Sequence, residues 1–168
     1  MSAAPYPMSQ YPATVNLRTP DLQRAWADYT QVLGFDGQQH VPGVFARLTH
    51  GSFFVQLWAF GARPGRWEQP TPGETAFAPG HHRVEVVGLH ALHASLRSAL
   101  QRPCRTRLAG RTLLHAQRLG SDTPQWMDWC AWESTLFDID GHVLHLIDRA
   151  PWRPGAPARH PPGTEVTE

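Results

Sequence analysis

The sequence has almost no net charge: fifteen basic residues against fourteen acidic ones leave a formal +1. The basic residues form no dense stripe, which argues against an electrostatic nucleic-acid binder, and the balance does not suit a protein built to attract cations. Cysteine is equally scarce. Cys104 and Cys130 have no metal-type spacing and are too few for a disulfide scaffold, so a reduced, cytoplasmic protein is expected. Long apolar runs are missing too. The longest, around Phe53 to Phe60, is far too short to span a bilayer, and no basic segment followed by an apolar one marks a secretory leader, so no membrane partner is expected. No Ser-His-Asp pattern, nucleophile elbow, phosphate loop or dinucleotide fingerprint is present.

What remains is a chain of 168 residues, 41% hydrophobic, with seven Trp and seven Phe. That suffices for one domain, or for two small modules sharing a core. Residues 1–11 are polar and punctuated by proline and read as a loose arm. From Ala13 to Thr19 Val15 and Leu17 alternate with Thr14, Asn16 and Arg18, as in a strand. Pro20-Asp21 then starts a helix, with Thr19 as its expected cap. Leu22, Ala25, Trp26, Tyr29 and Leu33 give it one apolar stripe, which stops at Gly34. Residues 44–48 and 52–60 form a hairpin around His50-Gly51. Residues 61–80, rich in Pro and Gly, read as a long loop that borders a site or dangles.

The order then repeats. His81 to Val87 is a strand with Val84 and Val86 inward and His81, Arg83 and Glu85 on the other face. Leu89, Leu92, Leu96, Ala99 and Leu100 form a second helical stripe, with Leu22 and Leu89 in equivalent places. A further strand is expected near residues 111–117, and residues 120–127 read as a polar loop. The last hairpin runs from Trp132 to Asp148 and turns at residues 138–142, with Val143, His145 and Ile147 on one face and Leu144 and Leu146 on the other. Residues 149–168, proline-rich with little to bury, read as a disordered tail.

Two β-α-β-β-β units whose last hairpin reads Phe137-Asp-Ile-Asp-Gly-His-Val-Leu-His145, after a first helix Asp21-Leu-x-x-Ala-Trp-x-x-Tyr-x-x-Val-Leu-Gly-Phe35, resemble the vicinal oxygen chelate superfamily. That superfamily includes glyoxalase I, extradiol dioxygenases and bleomycin-resistance proteins. The resemblance implies an α+β fold in which tandem βαβββ modules, residues 12–62 and 81–148, build a curved mixed sheet within one domain, residues 12–148. It also implies metal-ligand positions at Thr14, His81 and His145, of which Thr14 is a poor ligand. Histidine in place of glutamate at the last position, with Trp132 ahead of the final strands, resembles the bleomycin-resistance branch. Its members bind no metal and act as homodimers that stack planar drugs on aromatic side chains.

The expected function is therefore a cytoplasmic, homodimeric antibiotic-resistance protein that sequesters a small aromatic or amphipathic compound, without cofactor and without nucleic acid. Trp58, Phe60, Trp126, Trp129, Trp132 and Glu85 are its candidate ligand-binding residues. That branch's drug binders are strongly acidic, whereas this chain is near neutral and carries Arg18, Arg47, Arg63 and Arg66 on cleft or rim segments, which puts bleomycin itself in question. His145 reads first as a buried histidine satisfied by a backbone carbonyl, and second as a metal ligand. The alternative function is a metal-dependent lyase, isomerase or dioxygenase holding a divalent ion with His81 and His145. A cleft filled by its own side chains would instead indicate a scaffold or transcription-linked partner domain.

Overall fold

The alternation of Val15 and Leu17 with polar neighbours becomes β1 (Ala13–Thr19), whose apolar residues are buried and whose Thr14, Asn16 and Arg18 are exposed. The computed structural model describes residues 13–63, 65–68, 77–102 and 117–149. The N-terminal arm, the expected strand at 111–116, residues 69–76 of the long loop and the tail from 150 lie outside these. Helix α1 (Leu22–Ala27) follows, capped by Asp21, whose carboxylate accepts the Arg24 N–H at 3.0 Å. Thr19, expected as the cap, instead accepts the Asp21 N–H one step earlier, because Asp21 has the extended backbone that a cap requires. The helix continues as a π-helical turn (Asp28–Val32) and ends at Gly34, φ +75°.

Three antiparallel strands complete the first unit: β2 (Asp36–Val41), β3 (Phe45–His50) and β4 (Phe53–Ala59), with β4 returning parallel to β1. The long loop contains a small ribbon, β5 (Ala62–Arg63) with β6 (Arg66–Trp67). The second unit repeats the first with β7 (His81–Glu85), α2 (Leu89–Leu100), β8 (Gln125–Met127), β9 (Ala131–Phe137) and β10 (Val143–Arg149). Its sheet order, β7-β10-β9-β8, copies the β1-β4-β3-β2 order of the first, each opening on a parallel pair. This is the expected α+β fold of paired βαβββ units. Four strands were not expected: β2 is exposed along its whole length, β5 and β6 lie in what read as a long loop, and β8 falls in what read as a polar loop.

The sheets touch along β1 and β7, and one apolar core joins them. Leu17, Tyr29, Leu33 and Leu57 of the first unit meet Leu89, Leu96, Leu136 and Leu144 of the second, all fully buried. Each contributes roughly 1.5–3 kcal/mol of burial free energy.

Candidate functional site

Strand alternation gives each sheet a helix side, which is core, and an opposite side that no described helix covers. On the first sheet this open side carries two register rows. Asn16, Gln56 and Arg47 form one, and Arg18, Trp58 and Phe45 the next. Trp58 and Phe45 are packed rings, with centroids 4.5 Å apart. On the second sheet the row Arg83, His145 and Thr135 lies between Glu85 and His81 along the same face.

The two histidines of the final hairpin have opposite environments. His142, only 3% exposed, accepts the Gly80 N–H at Nδ1 (3.0 Å) and donates from Nε2 to the Arg18 carbonyl (2.7 Å). These bonds select the Nε2–H tautomer and fasten the second unit to β1. His145, expected to be the carbonyl-satisfied histidine, is instead partly exposed. Its Nδ1 lies 2.8 Å from Glu133 Oε1, and its Nε2 is 3.5 Å from Nδ1 of His81. The physical reason is side: residue 145 is on the open face, where a carboxylate and water are within reach, whereas His142 sits in the turn against β1.

The rest of the hairpin turn is likewise occupied with holding the units together. Asp138 Oδ1 accepts the N–H groups of Asp140 and His142, while Oδ2 is 3.4 Å from the Tyr29 hydroxyl on the π-helical turn. Burial pushes the Asp138 carboxyl up to about 6 and raises the Tyr29 hydroxyl well above its ordinary value. Asp140 pairs with Arg24 of α1, and Arg118 grips Asp28 with two bonds, of 2.9 and 2.5 Å.

The candidate aromatic residues are divided between faces. Trp58 is on the open face. Trp129, in the β8–β9 turn, also reaches that side, where the guanidinium groups of Arg83 and Arg149 lie 5.1 and 5.5 Å from its ring centroid. Trp126 and Trp132 form a register pair on the helix side. Their rings are 5.2 Å apart, and Trp132 packs against His90 of α2 at 4.7 Å. Phe60 belongs to a third group, meeting Phe77 at 6.5 Å, which in turn meets His142. Glu85 pairs with Arg149 at 2.8 Å. Sequence reasoning did not single out Phe45 or the Glu133–His145 pair. The signal for the pair was positional, since Glu133 lies opposite Ile147 and so diagonal to His145 across the β9–β10 ladder.

Two donors bonded at about 2.1 Å to one tetrahedral ion lie about 3.4 Å apart, so the His81–His145 nitrogen separation suits a shared metal. Glu133 behind His145 is the kind of carboxylate that orients a ligating imidazole. The donor set is nonetheless short. An open catalytic site needs about three protein ligands, Thr14 stands at the first ligand position, and among the described residues no group of three or more His, Cys, Asp or Glu is placed to hold an ion. Among the described residues the donor set is therefore one ligand short of the three that the resemblance implies. Two surface hollows, of about 380 Å³ beside Arg97 and Asp122 and about 300 Å³ beside His50 and Val86, involve neither Trp58 nor Trp129.

No family model matches the chain, and no curated protein does. Solved structures do. TioX from Micromonospora sp. ML1 is 16% identical, with a TM-score of 0.52 over 82% of this chain and 97% of that one. A bleomycin resistance determinant encoded on transposon Tn5 is 20% identical, with a TM-score of 0.52 over 82% and 96% of the two chains. Lactoylglutathione lyase from Agrobacterium tumefaciens is 16% identical, with a TM-score of 0.50 over 85% and 96%. A resistance determinant and a lyase are thus matched about equally well, and likeness at this level speaks for fold. The chain has the vicinal oxygen chelate fold, shared by bleomycin-resistance proteins and lactoylglutathione lyase.

Proposed function

We propose that the protein is a non-catalytic binding protein of the bleomycin-resistance type, which sequesters a small planar aromatic or amphipathic compound on the open face of its paired sheets. The observation that carries this reading is the placement of Trp58 beside Phe45 on one sheet and of Trp129 on the other, on sides that no described helix covers. Partly exposed indoles on an uncovered face can stack on flat ligands, whereas Trp126 and Trp132 pack on each other and Trp132 on His90 of α2. A homodimer belongs to the proposal, because a second copy laid over the open face would turn a shallow surface into a cleft. A cytoplasmic location is also part of it; among the described residues no helix is long and apolar enough to cross a membrane.

Titration with planar antibiotics should quench tryptophan fluorescence. Trp58→Ala should abolish most of that response and Trp126→Phe should leave it. A broad screen without a binder would remove the proposal.

One observation favours a second reading, a metal-dependent enzyme. It is the 3.5 Å approach of His81 and His145 with Glu133 behind. Near-stoichiometric Ni, Zn, Mn or Fe in protein purified without chelator, lost in His81→Ala or His145→Ala, would put this reading first.

A further inference from the structure

The charge on the open face restricts what the proposed site can take. Four arginines point to it: Arg18 and Arg47 on the first sheet, Arg83 and Arg149 on the second. Only two acids face them on β7 and β9, and both are already paired, Glu85 with Arg149 and Glu133 with His145. Asp36, on the outer strand, stands opposite Thr49 in the row of Phe54 and forms no ion pair with Arg47. The Arg18 guanidinium is turned onto the Ala59 and Ala62 carbonyls. Arg47 and Arg83 are left with aromatic rings as partners, Arg47 over Phe54 at 4.7 Å and Arg83 over Trp129 at 5.1 Å. Neither has a carboxylate within ion-pair distance among the described residues, and the Arg47 Nε is out of solvent without an acceptor.

An arginine set over a ring, with no carboxylate partner, keeps N–H groups for a planar anion, which it can engage with two parallel bonds. Arg47 lies one row along from Trp58, and successive same-face positions on a strand are about 7 Å apart. The Arg47 guanidinium leans toward Phe54, on the far side of Gln56 from Trp58, so a two-ring aromatic meets it by placing one ring on Trp58 and extending its substituent across Gln56. Resting on the binding reading above, we propose that the ligand is an aromatic carboxylate or similarly flat organic anion, its ring on Trp58 and its charge met by Arg47, with Arg83 serving the same role at Trp129. The face excludes cationic drugs by the same charges.

Three probes of one shape separate this inference from the reading beneath it: naphthalene-2-carboxylate, naphthalene-2-carboxamide and naphthalen-2-ylmethylammonium, titrated calorimetrically into the full chain. The carboxylate should bind about tenfold tighter than the amide, and the ammonium weakest, since a tenfold ratio is what one modest charge-assisted contact provides. Arg47→Gln with Arg83→Gln should bring carboxylate and amide within about twofold, and Arg47→Lys with Arg83→Lys should restore part of the gap. Equal binding of carboxylate and amide, or tighter binding of the ammonium, overturns the anionic ligand while leaving the aromatic site standing. Binding of none of the three overturns both.

Discussion

His142 and His145 are three residues apart, and the carbonyl-bonded role expected of His145 falls to His142. Replacing His142 by Ala strands the Arg18 carbonyl and the Gly80 N–H inside the junction, which should cost about 2–4 kcal/mol in denaturant unfolding. His145→Ala, on the open face, should cost under ~1 kcal/mol. Equal losses at the two positions would contradict this division. Alternation correctly gave the side of His145 and could not give its partner. What was illegible for His142 was distance along the chain, because its acceptor is 124 residues away.

Asp138 supplies a pH test. Burial lifts its carboxyl from 3.8 to about 6, so between these values the folded protein holds a proton that the unfolded chain releases. The contribution of this group is fully present below about pH 4 and is lost as pH rises through about 6. Asp138→Asn removes the ionisable group while keeping an oxygen for the Asp140 and His142 N–H groups. It should be more stable than the natural protein above pH 7, by on the order of 2–3 kcal/mol, with the gap closing toward pH 4. Urea unfolding at a series of pH values checks the sign; a gap that widens as pH falls would refute it.

Among the elements, α2 shows most clearly what a local reading misses. Gly88, at its N-terminus, has no side chain to cap with, and Asp148 at the end of β10 supplies the missing acceptor, taking the Gly88 and Leu89 N–H groups at 2.9 and 3.0 Å. Asp148→Ala should destabilise the fold by about 1–2 kcal/mol, read as a lowered Tm with unchanged ligand affinity. The stripes of α1 and α2 were legible because a buried helix face repeats every three to four residues and Leu22 and Leu89 open equivalent patterns. β2 was not, since Asp36–Val41 is exposed on both sides and leaves no alternation. Its place is set by contact instead. The Trp26 ring lies over Gly37, where an added Cβ would come within 2.2 Å of it, and stacks on His40 at 4.7 Å.

At the scale of the molecule, the fold's signature hairpin is a fastening. Its Asp138, Asp140 and His142 all reach into the first unit, so what the resemblance marked as a fold signature works here mainly as a junction. The repeat, and with it two equivalent βαβββ units, could be read from the sequence; that each unit closes its own four-stranded sheet could not. The division of the tryptophans between two faces could not, because Trp126, Trp129 and Trp132 lie around a turn whose course depends on Cys130 at φ +61°. The central claim, a flat ligand on the open face, is tested most directly by the indole N–H resonances of the seven tryptophans during titration with naphthalene-2-carboxylate. Binding as proposed shifts the Trp58 and Trp129 signals and leaves Trp126 and Trp132 where they were. Shifts confined to Trp126 and Trp132, or no shift at any indole, would contradict it.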